Sequence, residues 1–240
     1  MSHLLIPRRF QGPPSSGNGG WTAGALAQHL PGGARDATVT VRLRLPPPLE
    51  VPLEIDDSPA GAGARRVLTD DVGRPVAEAV LSEDELIPVP PIDVLAAADA
   101  EAGYPGLRQH VFPECFVCGP DRRPGDGLRI FPGPATTPRG REIVAGTWTP
   151  YESDVPITWA ALDCPGGWAT DLLEQPRVLG TMTARIDRLP STRERYVVVG
   201  EQRAIEGRKA LTAASLYGED SGLVATAEHT WIAIDPRTFD

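Results

Sequence analysis

No apolar run in this chain approaches the ~18 residues that a membrane-crossing helix needs. Cysteine is scarce. There are three in 240 residues, an odd number that argues against a disulfide framework. Positive charge is also short. The formal net charge is −9, which disfavours nucleic acid as a partner, because a phosphate backbone demands a basic footprint. A small anionic ligand needs only a few local Arg or Lys residues and stays open. No Gly-rich phosphate loop of recognised spacing is present. Met1–Phe10 places Arg8 and Arg9 after a short apolar piece, the wrong order for a secretory leader. These absences predict a cytoplasmic protein with neither a membrane nor a nucleic acid as partner.

What is present is ordinary in bulk. Hydrophobic residues make up 41% and charged residues 23%, as in soluble globular proteins. The length allows one large domain or two of about 100–130 residues. The 26 prolines and 25 glycines punctuate the chain at turns, which favours many short strands over long helices.

The same order of elements occurs twice. Ser16-Gly17-Asn18-Gly19-Gly20 is a helix start, with Ser16 or Asn18 as N-cap. Ala23, Leu26, Ala27 and Leu30 then follow helical spacing until Pro31-Gly32-Gly33 stops it. Val39, Val41, Leu43 and Leu45 alternate with polar residues, a half-buried strand. Short strands follow at 51–55, 65–69 and 75–81, the last two joined by the turn Asp70-Asp71-Val72-Gly73. In the second half a helix is expected from about Pro156 to Glu174, interrupted at Cys164-Pro165-Gly166-Gly167. Strands are expected at 178–188, 196–201, 208–217 and 223–234. The final hairpin recurs: compare Asp71-Val72-Gly73-Arg74-Pro75-Val76-Ala77 with Asp220-Ser221-Gly222-Leu223-Val224-Ala225-Thr226. A period of about 120–140 residues is too long for a solenoid. Two tandem α+β units, 1–105 and 106–240, are expected, joined through a Pro-rich connector (Ile87–Pro91) and a short Ala-rich helix over Asp93–Ala102.

One carboxylate stands out. Asp163 sits in Trp159-Ala160-Ala161-Leu162-Asp163-Cys164-Pro165-Gly166-Gly167-Trp168, which otherwise reads as buried. A buried acid is costly unless it is paired, hydrogen-bonded or neutralised. Either it does chemistry or it caps a second helical segment starting at Cys164-Pro165. At the other helix start, Asn18-Gly19-Gly20, free backbone N–H groups can stabilise developing negative charge. The alternative there is an ordinary cap, with glycine for tight packing.

One helix followed by a run of strands, occurring twice, resembles the hotdog fold, in which a central helix is wrapped by a curved antiparallel sheet. Cys115-Phe116-Val117-Cys118-Gly119-Pro120 with Gly127-Leu128-Arg129-Ile130 is similar to the opening of thioesterase-superfamily hotdog domains. Asn18-Gly19-Gly20 matches the His/Asn-Gly-Gly that starts their helix, and Thr158–Trp168 matches the segment that carries their acid. The resemblance covers essentially the whole chain as a double hotdog. It implies an acyl-CoA or acyl-carrier thioesterase, with no cofactor. Asp163 would be base or nucleophile, Gly19-Gly20 would polarise the thioester carbonyl, and Asn18 would hold substrate or water. Thr181, or else Thr183, would assist from the next strand, unless they are plain strand residues. Each half keeps what the other lacks. Position for position, Leu26 stands where Asp163 does, and Val155-Pro156-Ile157 replaces Asn-Gly-Gly. A single chain then suffices for one composite site, with homodimers common in the superfamily. A non-catalytic acyl-CoA or lipid-binding hotdog and an enoyl-CoA hydratase are the rival readings. The hydratase pairs Asp with His, and neither helix offers Asp-x4-His.

Three further groups complete the candidates. Trp21, Trp159 and Trp168 either wall an acyl tunnel or fill the core. Arg208-Lys209, at a strand start, either meet the coenzyme phosphates or are simply solvated. Cys115-x-x-Cys118 is half a zinc knuckle, and a structural zinc needs four ligands. Cys164 and the four histidines remain, with no second pair at ligand spacing, so no metal is expected and the motif reads as a turn.

Overall fold

A computed structural model describes residues 2–32, 34, 36–56, 64–235 and 237. Gly33 of the expected helix stop lies outside them. Among the described residues, eleven strands form a single sheet: β1 (Ser2–Leu5), β2 (Thr38–Leu43), β3 (Pro52–Asp56), β4 (Arg65–Thr69), β5 (Pro75–Ser82), β6 (Gly133–Thr136), β7 (Glu142–Trp148), β8 (Arg177–Ile186), β9 (Tyr196–Glu206), β10 (Lys209–Gly218) and β11 (Leu223–Ala233). Their order is β1-β3-β4-β5-β2-β8-β11-β10-β9-β7-β6, and neighbours pair antiparallel. The α-helices among the described residues are α1 (Gly19–Ala27), α2 (Val94–Glu101) and α3 (Val155–Trp168). None is long and apolar enough to cross a membrane.

The pairing order repeats. Helix α1 is followed by β2, β3, β4 and β5, and α3 by β8, β9, β10 and β11. In each set the first strand pairs with the fourth, the fourth with the third, and the third with the second. The two sets join edge to edge where β2 meets β8, with Val39 opposite Ala184 and Val41 opposite Met182. The strand alternation read from the sequence is what makes this sheet. Val39 and Val41 are buried and alternate with half-buried Thr38 and Thr40 and exposed Arg42, and each sends its side chain to the helix-covered face.

Both α1 and α3 lie on that face. Gly20 through Ala27 are all buried, as is every residue of α3. Helices apolar all round belong in the interior. Close contact between the two is possible because glycine faces the partner helix. A Cβ on Gly20 would stand 2.5 Å from Asp163 Cβ, and one on Gly24 would stand 2.8 Å from both Pro156 Cα and Trp159 Cβ. Helix α2 packs on the opposite face. Val198 of β9 joins the core around α3, while its neighbours Val197 and Val199 join a second cluster with Ala97 and Ala100 of α2. Helix α2 thus packs on β6, β7 and β9, and the connector is tied to β10, where the Val89 N–H donates to Ser215 Oγ and the Tyr217 hydroxyl to the Val89 carbonyl, rather than to the N-terminal strands.

Helix α3 corrects one expectation. It runs without interruption from Val155 to Trp168, through Pro165, and stops short of Glu174. Pro165 cannot donate to the Ala161 carbonyl, a loss of about 3 kcal/mol or more in an isolated helix. Here burial outweighs it. Glycines let the helix sink onto the sheet: a side chain at Gly200 would overlap the Pro165 carbonyl, and one at Gly166 would stand 2.5 Å from His229 Nδ1. Asp163 is therefore mid-helix, and the capping alternative falls. The N-cap of α3 is Asp154, which accepts the Ile157 N–H at 2.7 Å.

Candidate active site

Asn18 is the N-cap of α1. Its Oδ1 accepts the Trp21 N–H at 2.8 Å, so Nδ2 is left pointing away from the helix. That Nδ2 donates to Asp163 Oδ2 at 2.8 Å, and the Gly20 N–H donates to the same oxygen at 3.0 Å. The acid of α3 therefore sits directly on the N-terminus of α1. Asp163 is 2% exposed, and its second oxygen, Oδ1, has no partner among the described residues. Burial pushes its pKa up to about 7, against the Gly20 N–H and the Asn18 amide, which favour the charged form.

This contact revises the expected roles. No gap for a carbonyl exists between Asp163 and the Gly20 amide, because the two are hydrogen-bonded. Gly20 and Asn18 hold the acid. The Gly19 amide, one residue earlier, has no acceptor among the described residues, and Gly19 lines the cavity described next. Counted from the two N-caps, Asp163 is nine residues beyond Asp154, and nine beyond Asn18 is Ala27. The position matching the acid is therefore Ala27 rather than Leu26.

A cavity of about 260 Å³ opens beside this contact. Asn18, Gly19 and Asp163 line it together with the apolar Leu43, Leu45, Pro46, Pro47, Leu179 and Ile232 and with Arg44. Of the three expected tryptophans only Trp168 lines it; Trp231, from β11, joins it there. Trp21 stacks on Phe10 with ring centroids 4.1 Å apart, and Trp159 packs against Gly24 in the core. Both belong to the packing alternative.

Thr181 and Thr183 also fall away from the acid. On β8 the side chains of Met182 and Ala184 enter the core, so their neighbours face the other side of the sheet. There Thr183 shares a hydrogen bond with Thr40 at 2.9 Å, and both β8 threonines line a shallow surface groove with Glu228. Thr181→Val is expected to leave turnover within about twofold, the range of surface changes away from a site. Steady-state kinetics check this, and a loss above tenfold would return Thr181 to the site. Arg208 and Lys209 are exposed at the β9–β10 turn, where Arg208 donates to the Ala233 carbonyl at 3.0 Å. Neither lines the cavity.

Sequence reasoning missed several lining residues. Arg177 is 6% exposed, donates to Gln175, and leaves its Nε without a partner among the described residues. Burial lowers its pKa. Cys115, Cys118 and Cys164 all line the cavity, and their sulfurs lie within 4.8 Å of one another. Nothing local marks Cys164 as a partner of the other two, 49 residues from Cys115 in the chain. His110 lines the cavity too. Its Nδ1 accepts the Phe112 N–H at 2.9 Å and its Nε2 lies 3.4 Å from Cys118 Sγ. His229, beneath α3, is pushed down to about 3 by burial and stays neutral.

No family model and no curated protein matches the sequence. Solved structures do. A thioesterase-like protein of Novosphingobium aromaticivorans, described as a putative thioesterase, superposes with a TM-score of 0.63 at 12% identity, over 97% of this chain and 95% of that one. A hotdog-fold protein of unknown function from Alicyclobacillus acidocaldarius gives 0.56 at 11% identity, over 98% and 93%. The dehydratase domain of PpsC from Mycobacterium tuberculosis, solved with C12:1-CoA, gives 0.59 at 15%, over 97% and 92%. At these identities the likeness is one of fold. The chain has the hotdog fold, as its motifs suggested, and its similarity is to hotdog proteins described as thioesterases and as a dehydratase.

Proposed function

We propose that this protein hydrolyses acyl thioesters, carried by coenzyme A or an acyl carrier, at one composite site between two tandem hotdog units, 1–105 and 106–240. The repeated helix-then-four-strands pairing order supports the two units. The observation that carries the chemistry is the Asp163 carboxylate in the cavity wall, with one oxygen clamped by Gly20 and Asn18 and the other without a partner among the described residues.

Clamping Oδ2 fixes the carboxylate plane and leaves Oδ1 as the proton acceptor. Water in the cavity gives a proton to Oδ1 as its oxygen attacks the thioester carbonyl carbon. The negative charge then forming on the carbonyl oxygen is met by the Gly19 N–H and the positive end of α1. The C–S bond breaks, and the departing thiolate takes the proton back from Asp163. A pKa near 7 suits both halves of this exchange. The pseudo-equivalent site is inert: α3 begins with Val155-Pro156, Pro156 brings no N–H, and Ala27 stands in place of the acid. The apolar lining favours an acyl or pantetheine chain, and one chain is enough for the site.

The hydratase reading needs a histidine beside the acid. Both nitrogens of His110 are engaged elsewhere, and His229 does not line the cavity. A panel of saturated and 2-enoyl coenzyme A esters separates the readings. Free thiol should be released from saturated esters. Tight binding without thiol release would establish the binding module instead, and loss of the enoyl absorbance without thiol release would establish the hydratase.

A further inference from the structure

We propose that Cys115, Cys118 and Cys164 together bind a zinc ion, with the fourth coordination position turned to the cavity. The fold delivers Cys164 from α3 to a Cys-x-x-Cys pair that looked incomplete in the sequence. All three thiols are buried, none is in a disulfide, and their sulfurs lie within 4.8 Å of one another. Cys115 Sγ and Cys164 Sγ are 3.7 Å apart. Thiolates at about 2.3 Å around a tetrahedral zinc stand roughly 3.8 Å from each other, so this pair already has the spacing of two ligands.

The loop carrying the pair is held as a ligand turn should be. The Gly119 N–H donates to the Cys115 carbonyl at 2.9 Å, and a Cβ at Gly119 would stand 2.5 Å from that carbonyl oxygen. Only glycine permits the turn. The Tyr104 hydroxyl donates to the Cys118 carbonyl at 3.0 Å, which ties the loop from the other side. His110 is not the fourth ligand. Its Nδ1 accepts a backbone N–H, so its proton is on Nε2, 3.4 Å from Cys118 Sγ. It serves as an N–H donor to a thiolate, the kind of outer partner that orients metal ligands. Because all three cysteines line the cavity, the remaining position opens into it. Three protein ligands plus one open position is the pattern of a zinc that can take a small molecule.

The proposal is read on the ion itself and needs no thioester. The full-length protein, reduced and stripped with a chelator, is titrated with cobalt(II) and then zinc(II). Expected are one cobalt per chain, thiolate-to-cobalt charge-transfer bands with the intense visible bands of tetrahedral cobalt, and displacement by one zinc. Zinc loading should also protect three thiols from a thiol reagent. Cys118→Ser should weaken binding by more than ~10²-fold, since outer partners alone cost 10- to 100-fold, and His110→Gln by about tenfold. Weak octahedral cobalt bands, thiols equally reactive with and without zinc, or a Cys115–Cys164 disulfide persisting in place of metal would each overturn it. If Cys118→Ser fails to fold, the wild-type cobalt spectrum decides alone.

Discussion

Asp163→Asn is expected to lower thioester hydrolysis by at least ~10²-fold, the lower end of what a positioned base contributes. The substitution is close to isosteric. Its amide oxygen can still accept from the Gly20 N–H and the Asn18 Nδ2 that now hold Oδ2. What disappears is the proton acceptor at Oδ1. Binding of an unhydrolysable acyl-CoA analogue should therefore change by no more than a few fold, because the acid acts mainly in the transition state. Thiol release and calorimetry on the same preparation measure the two quantities. Stability should not fall, since burying a neutral amide costs less than burying a carboxylate. Wild-type turnover in Asp163→Asn would remove the acid from the mechanism and leave the binding module as the better reading.

Gly20→Ala should do the reverse of what helix propensity says. In an exposed helix the change is worth about 1 kcal/mol in favour of alanine. Here the new methyl would stand 2.5 Å from Asp163 Cβ and 2.9 Å from the Trp159 carbonyl oxygen. Both helices are enclosed by the sheet and each other, so neither can back away freely. Overpacking of this kind costs about 1–3 kcal/mol, or roughly 2–4 °C in Tm for each kcal/mol in a chain of this size. Activity should fall with it, because the added carbon displaces the residue that the Gly20 N–H orients. Gly24→Ala is the control. It meets Pro156 and Trp159 at 2.8 Å, one helical turn from the Gly20–Asp163 contact. It should lose comparable stability but keep far more of its turnover. If Gly20→Ala melts at or above the wild-type temperature, the close helix contact is not as described.

Much of the scaffold was legible because it is local. The alternation in β2 and the turn at Asp70–Gly73 follow from side-chain period and turn chemistry. Expected strand ends agree with β4 fully and with β5, β8 and β11 to within two residues. The strands that escaped notice are β1, β6 and β7. Strands β1 and β6 are four residues long and sit at the two edges of the sheet, and Gly133-Pro134 opens β6, where proline is tolerated because an edge needs no donor on its open side. Strand β7, Glu-Ile-Val-Ala-Gly-Thr-Trp, is nearly all buried and shows little alternation.

The sequence by itself singled out the two poles of the proposed site, Asn18-Gly19-Gly20 and Asp163, since each is a local anomaly: a glycine-rich helix start and an acid in an apolar run. Its repeated element order and its short motifs, Asn18-Gly19-Gly20, Cys115–Pro120 and Thr158–Trp168, also carried the resemblance to the hotdog fold. Only the tertiary structure decided how the poles meet. Asp163 occupies the Gly20 amide itself, which moves the free donor to Gly19 and turns Asn18 and Gly20 into supports for the acid. It also carried α3 through Pro165, placed Thr181 behind the sheet, sent Trp21 and Trp159 into the core and gathered Cys164 to Cys115 and Cys118. The reason is common to all of these. Periodicity and capping depend on neighbours a few residues away, whereas the depth to which a helix sinks, and what it then touches, depends on glycines such as Gly20, Gly24 and Gly200 facing partners far along the chain.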